Sequence, residues 1–123
     1  MEEQRFNHLV EKLNEFEGVE EAYLLDKDGA IIYKSHDFNL SNDEARSILT
    51  TWKEKEPALM YQGFRFAILK NDEIQLAAKN IVGGKGNIVG SITKEGDFFL
   101  AHTRDEGMIL LEWSIQVNKI AWS

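Results

Sequence analysis

From Gly63 to Thr103 the hydrophobic period of this chain is two, and short polar turns interrupt it repeatedly. GFRFAILK, EIQLAAKN, NIVGSITK and DFFLAHT each read as a strand, giving four in succession. Phe64, Phe66 and Ile68 share one face of the first, and Ile74, Leu76 and Ala78 one face of the second. The turns fall at Asn71-Asp72, Gly83 to Gly86 and Glu95-Gly96. Connections this short cannot carry a parallel crossover, so the segment is an antiparallel meander.

Helical periods flank it. Phe6, Leu9, Val10, Leu13 and Phe16 make one face of an N-terminal helix running towards Gly18. Ala22–Leu25 and Ala30–Lys34 then flank an Asp-Lys-Asp-Gly turn and read as a hairpin. Ser41 and Glu44 have capping-box spacing ahead of a second helix, whose apolar face is Ala45, Ile48, Leu49 and Trp52 and which Pro57 closes. Thr103 and Glu106 repeat that spacing ahead of a last helix. There Met108, Leu111 and Ile115 form one stripe, and Ile109, Trp113, Val117 and Ile120 another, wide enough to pack on both a sheet and a helix. The expectation is one α+β domain over residues 1–123, with an antiparallel sheet of roughly six to seven strands.

Composition narrows function by exclusion. A net charge of −7 speaks against non-specific nucleic-acid binding. With no cysteine, disulfides and thiolate metal sites are excluded. His8, His36 and His102 are scattered without zinc-ligand spacing, so no metal is expected. Neither a signal peptide nor a membrane span is visible, so a soluble, cytoplasmic domain is expected. The loop in KNIVGGKGNIVGSITK follows Lys85 with glycine and then a strand, whereas a phosphate loop needs Ser or Thr and then a helix. No nucleophile elbow occurs, and Ser35 and His36 are sequence neighbours, which rarely have the geometry of a nucleophile and its base. No catalytic residue and no cofactor is expected. One asymmetry remains: Arg65, Lys70, Lys79, Lys85 and Lys94 lie on the later strands and their turns, while acidic residues concentrate earlier. Lysines that guard strand edges explain this, and so does a basic sheet surface that docks an acidic protein.

The order of elements resembles the profilin family along nearly the whole chain. The likeness is carried by LLDKDGAIIYKS, NDEARSILTTWKE, GFRFAILKND and AAKNIVGGKGNIVGSITKEGDFFLAHTRDEG. It rests on order and spacing rather than on a unique signature. The resemblance implies N- and C-terminal helices on one sheet face, a shorter helical segment on the other, and a monomer that binds monomeric actin, or an actin homologue, to regulate filament assembly near the cytoskeleton. The matching actin-contact positions are Arg65, Lys70, Lys79, Lys85, Asn87, Val89, Thr103, Arg104, Asp105, Met108 and Glu112. The family's grip on proline-rich peptides is not expected. Only Phe6, Trp113 and Trp122 offer a groove, Ile32 stands where a tryptophan is usual, and Val117 replaces a polar or aromatic residue. These departures point to a divergent member of archaeal or other deep-branching type. Nothing in the residues indicates a phosphoinositide site. GVEEAYLLDKDGAIIYKS also resembles the roadblock fold, which would imply a homodimeric scaffold regulating small GTPases. That fold has three strands after the middle helix, and the count here of four favours profilin.

Overall fold

The computed structural model describes residues Met1–Ser123. Its elements run α1 (Glu3–Leu13), β1 (Val19–Leu25), β2 (Ile31–Lys34), α2 (Asn42–Lys53), β3 (Ala58–Tyr61), β4 (Phe64–Asn71), β5 (Gln75–Lys79), β6 (Asn87–Ile92), β7 (Phe98–Thr103) and α3 (Leu110–Ala121). The strands form one 7-stranded sheet in the order β2-β1-β7-β6-β5-β4-β3. Every neighbouring pair is antiparallel.

Strand alternation splits the core in two. Tyr23, Leu25, Leu76, Ala78, Ile88 and Leu100 point to one face, where Ala45, Ile48, Leu49 and Trp52 of α2 cover them. Ala22, Leu24, Ala77, Val89, Phe99 and Ala101 point to the other, under Phe6, Leu9 and Leu13 of α1 and Leu110, Trp113 and Val117 of α3. The central strands β5 to β7 are therefore buried on both faces. Trp113 is fully enclosed, and truncating such a side chain typically costs about 3–5 kcal/mol.

The structure corrects several expectations. A fifth strand, β3, follows α2. Its four residues are too few to show a period, but Gln62 (φ 52) and Gly63 (φ 83) turn it tightly into β4. Helix α1 ends at Leu13, leaving Phe16 in the turn edge-on to Trp113 at 6.3 Å. Only half of the first capping box forms: the Glu44 N–H donates to Ser41 Oγ (3.0 Å). The Glu44 carboxylate accepts instead from the Gln62 N–H (2.5 Å), tying α2 to the β3–β4 turn. The second box does not form. Thr103 remains strand, paired with Asn87 and Val19. Gly107, at φ 79, keeps the chain out of a helix until Leu110. Of the two stripes expected to be buried on α3, Leu111 (55% exposed) and Ile115 (53%) face outward.

Candidate protein-binding surface

Helix α3 packs chiefly over β6 and β5. On that side of the sheet β3 and β4 extend beyond it. Cross-strand partners share a face, so the register places Ala58, Ala67, Lys79, Asn87 and Thr103 in one row, and Met60 with Arg65 beside it. A bulge at Leu69 then brings Lys70 opposite Ala77, on the same face. Met60, Arg65 and Lys70 are exposed.

The outer flank of α3 borders this strip. Leu111, Ile115 and Trp122 recur at spacings of four and seven and so lie on one side of the helix. Asn118 lies on the same side and reaches down to β6, its amide donating to Ser91 Oγ (3.0 Å). The surface thus has an apolar flank beside strands that carry Arg65 and Lys70, neither of which makes an ion pair.

Two loops close one end. In the β5–β6 loop, buried Asn80 acts as an internal turn template: its Oδ1 accepts from the N–H groups of Gly83 (2.7 Å) and Lys85 (3.1 Å). Its amide donates to the Arg65 carbonyl (2.9 Å). The loop presents Ile81 (67% exposed) and Val82 (96%) to solvent, above a groove lined by Met60, Phe64 and Ala67. The Lys85 ammonium lies 4.7 Å from the Phe64 ring centroid, while its carbonyl accepts from His102 Nε2 (2.6 Å). In the β7–α3 loop, Asp105 Oδ1 accepts from Lys79 Nζ (2.6 Å) and Asn87 Nδ2 (3.1 Å). Arg104 lies 3.5 Å from each of Glu20 and Glu106.

The positions singled out in the sequence therefore divide. Lys79, Asn87, Thr103 and Asp105 are brought together, with Asn87 Nδ2 also donating to Thr103 Oγ1 (3.3 Å). Arg65, Lys85, Arg104 and Glu112 are exposed around them, and Met108 is half-buried. Asn87, Val89 and Thr103 are each 0% exposed. As direct contacts they are corrected: they hold up the surface from beneath. Lys70 stands apart, about 16 Å along β4 from Arg65 at the usual strand rise. Phe6, Trp113 and Trp122 do not converge. Phe6 is buried against Tyr33 and Phe99 and Trp113 is buried too. Trp122 lies by Ile74 and Gln75. Sequence reasoning missed Asn80, whose signal was an Asn placed just before a glycine pair. It missed the contact of His102 with Glu21 as well, for which strand alternation gives no sign.

The chain is 71% identical over 123 residues to Loki profilin-3 of Lokiarchaeum sp. (strain GC14_75), covering 100% of both. Among solved structures, it superposes on a Loki profilin 2–rabbit actin complex with a TM-score of 0.82 at 22% identity, covering 98% of this chain and 95% of the other. Acanthamoeba castellanii profilin IA gives 0.73 at 15% identity, covering 94% and 91%. A roadblock/LC7 domain from Streptomyces gives 0.58 at 16% identity, covering 98% and 97%. No family model matches.

Proposed function

The chain belongs to the profilin family, and from that premise we propose that it binds monomeric actin, or an actin homologue, and so regulates filament assembly without catalysis of its own. One observation carries this reading beyond membership. On a protein of net charge −7, Arg65 and Lys70 stay exposed and unpaired beside the apolar Leu111–Ile115 flank. Free cations flanking apolar contacts suit an acidic protein partner, steering it and then burying area. Actin is a partner of that chemistry, and a structural neighbour, Loki profilin 2, is described in complex with rabbit actin. Lys79, Lys85, Arg104, Asp105, Met108 and Glu112 would form the margin of the same surface. No helix is long and apolar enough to cross a membrane, which suits a cytoplasmic role at the cytoskeleton.

The test is titration with purified monomeric actin, read by calorimetry and by inhibition of polymerisation. Arg65→Glu combined with Ile115→Asp changes only exposed side chains. It should weaken binding by at least tenfold, about 1.4 kcal/mol, while leaving the melting temperature within a few degrees. Wild-type affinity in that variant overturns the surface, and no wild-type binding overturns the function.

A further inference from the structure

Beneath the β5–β6 loop, His102 lies between two hydrogen-bond acceptors. Its Nε2 is 2.6 Å from the Lys85 carbonyl and its Nδ1 is 2.9 Å from Glu21 Oε2. Glu21 Oε2 also accepts from the Tyr61 hydroxyl (2.9 Å). Burial pushes the Tyr61 hydroxyl well up, helped by Tyr23 and Glu21, so it stays protonated. Tyr23, on β1, is likewise pushed up by burial. The other ionisable groups nearby are Glu44 of α2, which acts on Tyr61, and the Lys85 ammonium, turned away over Phe64. Phe66 closes the ring edge-on at 6.1 Å.

A neutral imidazole has one N–H and cannot donate to both acceptors. The observed geometry needs either an imidazolium beside a carboxylate, or a neutral ring beside a protonated Glu21. Both microstates hold one proton more than a neutral ring beside an ionised Glu21, so that proton belongs to the pair. When it leaves for solvent, the one remaining N–H goes to the stronger acceptor. A charge-assisted bond to carboxylate outcompetes a neutral bond to carbonyl, so Nδ1–H stays on Glu21 and the Nε2 lone pair faces the Lys85 carbonyl. We propose that Glu21 and His102 form a proton-held clamp that tethers the β5–β6 loop of the partner-binding surface and releases it as pH rises. His102 acts here as a positioning residue. The link to binding rests on the actin reading above, because this loop carries Lys85, Ile81 and Val82.

The free protein tests the clamp first. NMR follows the His102 ring and the Gly83, Gly84 and Lys85 amides from about pH 5.5 to about pH 8.5, the range in which imidazoles charge. The loop amides should shift with the same midpoint as His102. Protection of the Lys85 amide, corrected for intrinsic exchange, should fall about fivefold or more. In Glu21→Gln the new amide can donate to Nδ1, so a neutral ring keeps Nε2–H on the carbonyl and the loop should stay tethered throughout. In His102→Phe, which keeps a ring but has no donor, the loop should be loose and insensitive to pH. Loop amides indifferent to the His102 titration overturn the clamp, as does a Glu21→Gln loop looser than wild type at high pH. Affinity for actin should then fall about threefold or more from about pH 6 to about pH 8 in wild type, relative to Glu21→Gln. Equal pH dependence in the two overturns the link to binding. A titrating loop with no actin binding at any pH supports the clamp and overturns the partner reading.

Discussion

The two ends of the β5–β6–β7 layer are built from similar residues and spend their charges differently. At the β6–β7 turn, charge is consumed by the fold. The terminal ammonium of Met1 is 3.1 Å from Asp97, Arg5 Nε is 2.8 Å from Glu95, and the Asp97 N–H donates to Thr93 Oγ1 (3.2 Å). The first two contacts fasten the N-terminal segment and α1 to this turn, and the third braces the turn itself. At the other end, Asn80 and a shared proton hold the β5–β6 loop. Lys79 pairs with Asp105 and Arg104 with Glu20 at the β7–α3 loop. Arg65 and Lys85 stay out of any ion pair, while Ile81 and Val82 point outward. One end is closed, tying its charges into the fold, and the other is open, leaving cations and apolar side chains exposed where the proposed partner would dock. Lys94 belongs to the closed end, so the basic cluster suggested by the sequence is two groups in space.

The largest effect should come from breaking the floor of the open end. Gly86 has φ +80 and lies so close to the Thr103 carbonyl that a Cβ would overlap it. Backbone strain and steric overlap act together there, so Gly86→Ala should cost about 3 kcal/mol in denaturant unfolding. Gly84 also has positive φ (+65) but has nothing within 4 Å of a Cβ. Gly84→Ala should therefore cost only about 1 kcal/mol, the conformational penalty alone. Equal costs would show that Gly86 is a turn glycine and that the floor does not matter.

The contrast between the ends explains what the sequence could tell. The meander and α2 follow from periodicity, the first hairpin from its Asp-Lys-Asp-Gly turn between β-favouring runs, and the placement of helices on both sheet faces from the family likeness. Strand β3 has four residues, too few to alternate visibly. The Thr103–Glu106 spacing misled because a local capping pattern was overridden by tertiary pairing of Thr103 to Asn87 and Val19. For the surface, charge pattern and family likeness marked Arg65, Lys70, Lys79, Lys85 and Arg104. They did not separate exposed side chains from buried ones such as Asn87, Val89 and Thr103, since burial depends on where α3 lies. The Leu111 and Ile115 stripe reads as core in the sequence but is exposed in the fold, because an amphipathic pattern alone does not say which apolar face another element covers.

A smaller effect separates the ends by function. Arg5→Gln at the closed end removes a partly exposed ion pair and should lower stability by about 1 kcal/mol or less. It should leave affinity for monomeric actin unchanged, the reverse of the pattern expected for Arg65→Glu. Loss of actin binding in Arg5→Gln would place the partner across both ends.

The smallest effect is a pH signature of the closed end. Partial burial tends to raise the Glu95 carboxyl, but the Arg5 guanidinium, bonded to it and charged, outweighs this and holds it below the usual carboxylate range. A carboxyl lowered in the folded state contributes stability that is present above its unfolded value, about 4.3, and is lost as pH falls through the folded value. The melting temperature of wild type should therefore exceed that of Glu95→Gln at neutral pH, with the gap closing towards about pH 3. Asp72 is lowered as well: burial raises it, but N–H groups of Gln75 and Ile74 outweigh that, with Lys70 and Lys55 nearby. Some acid sensitivity should therefore survive in Glu95→Gln. The clamp at the open end responds in the opposite sense, loosening as pH rises. Scans of melting temperature and loop protection on the same samples should therefore diverge. If both fell together on acidification, the two ends would share one electrostatic network.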